Sequence, residues 1–190
     1  MTVGRIAVVA LVGLILAGCG STDYTAAGGA AMLAGPEDVR NGSLNPRIVS
    51  GSKRLECVPY ARWRSKITIR GDAWTWWDTA RNKYRRGTRP AVGSVLVLKR
   101  KGRSGRGHLA VVTRVLNDRE IVVDHANWLN RGRIHKDTAV RDVSAANDWS
   151  AIKVWYTPGR QYGRTTYYPR GFIYPMRYGQ SADARQRRRN

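Results

Sequence analysis

The part of the chain with the strongest structural pattern holds one cysteine, Cys57, and two histidines, His108 and His125, with a third, His135, just beyond. Cys57-Val58-Pro59-Tyr60-Ala61-Arg62-Trp63 reads as a helix start, with Pro59 in the first turn where its missing N–H has no partner to lose. A cysteine there sits where the helix dipole and free N–H groups favour its thiolate. The same N–H groups can hold an oxyanion as it develops. A histidine on a neighbouring strand can then serve as general base and return the proton to a leaving amine. A third polar group is needed to fix the tautomer and direction of that imidazole. His108 and His125 fall on strands joined by a short turn, so both can lie at one end of a sheet. His135 follows Arg131-Gly132-Arg133 and is expected to face solvent. These ligand types lack the close pair spacing of a zinc site, and there is no Asp/Asn/Gly calcium loop. Neither a metal nor a cofactor is expected.

The elements that must position these residues read as helices first and strands afterwards. After the Cys57 helix, Ala73–Tyr84 reads as a second helix, with Asp72 as its N-cap and Gly87 and Pro90 ending it. The period then changes to two over Ser94–Lys99, Gly107–Val115, Glu120–His125 and Ala151–Tyr156, with Asn117-Asp118 marking a hairpin turn. The expected fold class is α+β, with N-terminal helices packed on an antiparallel β-sheet. Asp124 precedes His125 on a strand and should point to the opposite face. Trp63, Trp74, Trp76, Trp77 and Trp128 could stack on sugar rings. Trp74 and Trp77 are expected in the core, whereas Trp76 and Trp128 are the groove candidates for substrate binding.

With 190 residues the chain holds one domain plus extensions, and 42% hydrophobic residues is compatible with a real core. Arg5 precedes an apolar run, Ile6–Gly18, of signal-peptide length. That run ends in Leu16-Ala17-Gly18-Cys19, which resembles the lipobox of bacterial lipoproteins, so Cys19 is the expected lipidation site. Gly20 rather than Asp follows it, which by the sorting rule implies the outer membrane, facing the periplasm, if the host has one. No later run approaches the roughly 20 residues that cross a bilayer. The expected organisation is therefore 1–18 signal peptide, 19–52 lipidated N-terminus and flexible tether, 53–157 folded domain and 158–190 a Tyr/Arg-rich basic tail, partly disordered. With Cys19 lipidated, Cys57 is the one thiol left in the folded part.

Lys and Arg number 34 against 13 Asp and Glu, a formal charge of +21. Lys99-Arg100-Lys101-Gly102-Arg103-Ser104-Gly105-Arg106, just before His108, forms a basic loop near the expected cleft. Such fields steer anionic partners and weaken with salt. In an exported chain the available anions are anionic lipids or other anionic envelope polymers. The export signal argues against the usual alternative, nucleic acid.

Five blocks then carry a resemblance. Leu55–Arg62, Gly71-Asp72-Ala73-Trp74, Pro90–Val97, Gly107–Val112 and His125-Ala126-Asn127-Trp128 resemble, in order and spacing, a CHAP domain over about Arg54–Tyr156. The resemblance implies a papain-like cysteine hydrolase, related to NlpC-type peptidases, that cuts amide bonds in peptidoglycan. The scissile bond would be the N-acetylmuramoyl–L-alanine bond or a peptide bond in the stem or cross-bridge. It places Cys57 as nucleophile and His108 as general base. Family members usually have Glu where His125 stands, with Asn127 matching their asparagine. Either residue could hold His108; His125 is preferred, with Asn127 assisting. Many members also carry Gln before the cysteine, where this chain has Glu56, which cannot donate to an oxyanion when ionised. The rival reading from another class is a catalytically silent cell-wall-binding or scaffolding lipoprotein on the same fold. A third is a basic module acting through the arginine tail.

Overall fold

The computed structural model describes residues 44–49, 54–102, 105–129 and 132–177. Cys19, the signal segment, most of the tether and the terminal arginines lie outside the described residues, as do Arg103 and Ser104 of the basic loop. Among the described residues antiparallel sheet dominates and helices are few and short, so the balance is further toward β-structure than the sequence suggests.

The strands are β1 (Arg47–Val49), β2 (Tyr84–Gly87), β3 (Val95–Leu98), β4 (His108–Val115), β5 (Glu120–Ala126), β6 (Ile134–Asp142), β7 (Ile152–Tyr156), β8 (Gln161–Tyr162) and β9 (Pro169–Arg177). They run in the order β2-β9-β3-β4-β5-β6-β7-β8, with β1 paired to β6. The β-branched and leucine-rich strands β3, β4 and β5 occupy the middle, where both faces are covered. Helix α1 (Cys57–Ser65) and a short α2 (Trp76–Thr79) precede them, α2 being entered through a 3-10 turn at Ala73–Thr75.

Alternation along the strands sorts the core into two layers. Leu109 and Val111 of β4, with Val95 and Val97 of β3, share one cluster with Ala61 of α1 and with Ala73, Trp76 and Ala80. Ala110 and Val112, with Leu96 and Leu98, face the other way, against Ile121, Val123, Val140, Trp149 and Phe172.

Four expectations about these elements differ from the structure. The helix expected over Ala73–Tyr84 is only the 3-10 turn and the one turn of α2, because Asn82 adopts φ 62° and Tyr84 already begins β2. Asp72 does not cap with its carboxylate; its carbonyl instead accepts the Thr75 N–H at 3.0 Å and the Thr75 hydroxyl at 2.8 Å.

The sheet also does not end at residue 157. Strand β9 inserts between β2 and β3, burying Phe172 and Ile173, so the first half of the expected tail is an interior strand. Gly171 permits this approach: its φ is 134°, and a Cβ there would lie 2.5 Å from the Gly87 carbonyl oxygen and 2.8 Å from the Trp77 ring. Finally, the end of the expected tether is docked, with Leu44 buried and Arg47–Val49 paired to Lys136–Ile134.

Candidate active site

Cys57 is the first residue of α1, preceded by Glu56 in extended conformation. Its half-buried sulfur is reached by the backbone N–H groups of Leu109, Val58 and Cys57 itself. The Leu109 contact places the thiol beside the peptide that joins His108 to Leu109, at the first residues of β4. Burial pushes the Cys57 thiol up, the Glu56 charge adds to that, and the three N–H groups oppose it. In the free protein the balance therefore favours the neutral thiol, against the low-pKa thiolate suggested by helix position alone.

His108 belongs to the sheet face opposite Leu109, and its Nε2 lies 2.9 Å from His125 Nδ1. This is a hydrogen bond between two buried imidazoles, so one ring must donate and the other accept. His125 sits at a β-bulge in β5, where the register to β6 shifts between Val123 and His125. Its Nε2 is buried with no hydrogen-bond partner among the described residues.

Trp128 closes the pair from above, with ring centroids 4.7 Å from His108 and 5.3 Å from His125, and Tyr167 packs on Trp128 at 4.9 Å. This covering explains why both imidazoles resist protonation. Burial lowers the His108 pKa to about 3, with His135 as a second cause, and holds His125 well below its usual value, with His108 and His135 adding.

His135 is not on the surface. It lies on β6 directly across from His125, is 1% exposed, and its ring is 5.1 Å from that of His125. Burial lowers its pKa to about 4, helped by the Arg133 charge. Three imidazoles thus stand in a row across β4, β5 and β6. Among the described residues no group of His, Cys, Asp or Glu is arranged to hold a metal ion.

Asn127 does not reach His108 by a hydrogen bond in this structure. Its Nδ2 donates to Glu56 Oε2 at 2.7 Å and its Oδ1 accepts the Gly132 N–H at 2.8 Å. Its φ of 56° turns the chain out of β5 toward that loop. The Gly132 carbonyl in turn accepts the Leu55 N–H at 3.0 Å, so Asn127 ties the segment before Cys57 to the β5–β6 loop. Glu56 is exposed and directed at Asn127.

Asp124 points to the other face, as alternation predicts, and anchors α1. Its carboxylate pairs with Lys136, accepts the Asp137 N–H at 3.0 Å, and lies 3.5 Å from the Tyr60 hydroxyl and 3.7 Å from the Arg64 guanidinium.

Of the two aromatic groove candidates, Trp128 lines the site and Trp76 does not. Trp76 is fully buried in the helix-side core, since Ala73, Trp76 and Ala80 share the inward stripe. Trp74 is instead 38% exposed and carries the Arg100 guanidinium 4.7 Å over its ring.

A cleft of about 540 Å³ opens beside His108 and Trp128, between Lys99–Lys101 with Gly105 and Arg106 on one side and Thr165–Tyr168 on the other. Gly107, with φ 70°, lets this loop come close. A Cβ there would meet the Leu98 carbonyl oxygen at 3.0 Å and the Trp74 backbone at 3.1 Å.

Residues 48–127 match the family model of the CHAP domain. In this segment the chain is similar to CHAP domains. The segment spans Cys57, His108, His125 and Asn127 and stops short of His135 and Tyr167. CHAP domains in general are peptidoglycan amidases or peptidases, which makes an amidohydrolase activity on peptidoglycan the general reading for the chain. Among curated proteins no match to the sequence was found.

Two residues beside the histidine pair were not legible beforehand. His135 was missed because Ile134–Asp142 was not read as a strand, although Ile134, Thr138 and Val140 supply a weak β-branched signal. Tyr167 sits in an isolated bridge to Ile152 that leaves no periodic trace in the sequence.

Proposed function

We propose that the chain is an exported, papain-like cysteine hydrolase that cleaves an amide bond of peptidoglycan with Cys57 as nucleophile and His108 as general base. The observation that supports this best is the 2.9 Å His108 Nε2–His125 Nδ1 bond, together with a Cys57 sulfur lying against the His108–Leu109 peptide. His108 Nε2 is committed to His125, so Nδ1 is the nitrogen that takes the Cys57 proton. For Nδ1 to be free of a proton, His108 must carry its hydrogen on Nε2 and donate it to His125 Nδ1. His125 then carries its own hydrogen on Nε2.

The low basicity of the buried imidazoles and the raised thiol pKa favour concerted proton transfer over a resting thiolate–imidazolium pair. As Cys57 Sγ attacks the carbonyl carbon, its proton passes to His108 Nδ1 and the carbonyl π-bond electrons move to oxygen. The Cys57 backbone N–H, at the helix N-terminus, is the donor we assign to that oxyanion. Collapse of the intermediate expels the amine, which takes the proton from His108, and leaves a thioester. Water then gives a proton to His108 and attacks the thioester. The acid departs and the thiol is restored.

His125 orients the base, Asn127 steadies the loop that holds Cys57, and Trp128 excludes water. The N-terminal segment supports lipidation at Cys19 and membrane anchoring, on the outer membrane facing the periplasm if the host has one. Peptidoglycan is then the substrate within reach, and the positive charge also suits anionic envelope polymers or lipids.

The second reading, a catalytically silent cell-wall-binding or scaffolding lipoprotein, is favoured by the Glu56 charge beside Cys57 and the raised thiol pKa. Mass spectrometry of fragments released from purified peptidoglycan by the full chain separates the readings. Free stem peptides indicate an amidase, and new termini inside stems or cross-bridges an endopeptidase. No release contradicts the hydrolase proposal.

A further inference from the structure

The cleft beside His108 is asymmetric in chemistry. One wall is cationic, with Lys99, Arg100, Lys101 and Arg106, and no acidic side chain among the described residues lines it. The other is aromatic, formed by Trp128 and Tyr167 in ring contact at 4.9 Å, with Tyr168 beyond. The cationic wall is tied down at both ends. The Arg100 guanidinium stacks on Trp74, and the Arg106 carbonyl accepts the Trp74 N–H at 3.1 Å. A guanidinium held flat on an indole loses less freedom on binding an anion than a free side chain would. Among the described residues no carboxylate pairs with Lys99, Lys101 or Arg106.

An extended ligand lying in this cleft meets apolar and amide-compatible surface on one side and cations on the other, with His108 at its end. We infer that the cleft is a specificity subsite for a peptide segment carrying free carboxylates next to the scissile bond, and that it discriminates against the same segment with those carboxylates amidated. This inference rests on the hydrolase reading for its biological use, but recognition itself does not require the thiol. The four cations are solvent-exposed, so each carboxylate pair contributes modestly, and two or more acting together give an expected preference of about tenfold.

The test uses two synthetic stem peptides, one with free side-chain and α-carboxylates and one with them amidated. Binding to the full-length Cys57→Ala protein is measured by calorimetry, and cleavage by the wild type is followed in parallel. The expected result is about tenfold tighter binding of the free-acid peptide, weakening with salt. That preference should fall toward one in Cys57→Ala carrying also Arg100→Gln, Lys101→Gln and Arg106→Gln. Equal binding of the two peptides, or a preference that survives the triple substitution, overturns the inference. A preference that appears in binding while the wild type cleaves neither peptide upholds the subsite and contradicts the hydrolase reading, so the two can fail separately.

Discussion

Removing the acceptor behind the general base tests the core of the proposed mechanism. In His125→Leu the His108 Nε2–H loses its 2.9 Å partner inside a buried, Trp128-covered site. An unpaired buried donor costs about 1–3 kcal/mol, and a hydrogen bond to a charged group is worth about 1.5–3 kcal/mol. The charged form of His108 arises along the reaction, so the larger loss falls on the transition state. A differential of about 2–3 kcal/mol corresponds to a fall in kcat of roughly 30- to 150-fold. KM should change little, since His125 is buried away from the cleft. His125→Gln restores an acceptor oxygen and should recover several-fold of the lost rate. The assay is steady-state cleavage of a stem peptide, with thermal unfolding as the control for folding. A folded His125→Leu protein that keeps kcat within about threefold of wild type would refute the reasoning, as would a Gln variant no better than Leu.

Glu56→Gln removes a charge that raises the Cys57 pKa while keeping an oxygen to accept from Asn127, so iodoacetamide labelling at neutral pH should speed up by about threefold to tenfold. Gly107→Ala puts a methyl 3.0–3.2 Å from the Leu98 and Trp74 backbones at a φ of 70°. It should cost about 1–3 kcal/mol in urea unfolding and lower kcat together with stability, because the displaced residue adjoins His108. Stability should also fall with acid. His108 and His135 have folded pKa values of about 3 and about 4, below the ordinary 6.5, and His125 is lowered too. Above pH 6.5 all three are neutral whether folded or not. As pH falls below that, the unfolded chain binds protons that the fold refuses, and stability declines by up to about 1.4 kcal/mol per pH unit per histidine until the folded values are passed. Urea midpoints between pH 7 and pH 4.5 should show this slope, and His135→Phe should make it shallower.

The sequence showed the middle of the sheet well because β3, β4, β5 and β7 are continuous β-branched or leucine-rich runs, and their expected bounds differ from the observed ones by a residue or so. It showed Cys57 at a helix start, His108 at a strand start, and the opposite directions of Asp124 and His125, all from local spacing. What it hid depends on long-range pairing. Strand β9 contains two prolines and a glycine and looks like a loop until Gly171 is seen packed under Gly87 between β2 and β3. His135 enters the site only through the β5–β6 register. Trp76 is buried and Trp74 exposed, the reverse of expectation, because the helix that would have set their faces is one turn long. Whether His125 or Asn127 meets His108 depended on a bulge and a left-handed residue, which composition does not announce.

The central claim is that Cys57 performs covalent catalysis. Its most direct test is the release of soluble fragments from purified peptidoglycan by full-length wild type and Cys57→Ala, matched for thermal unfolding and quantified by mass spectrometry. The account predicts fragments from the wild type and none above background from Cys57→Ala. Equal release by the two proteins would contradict it.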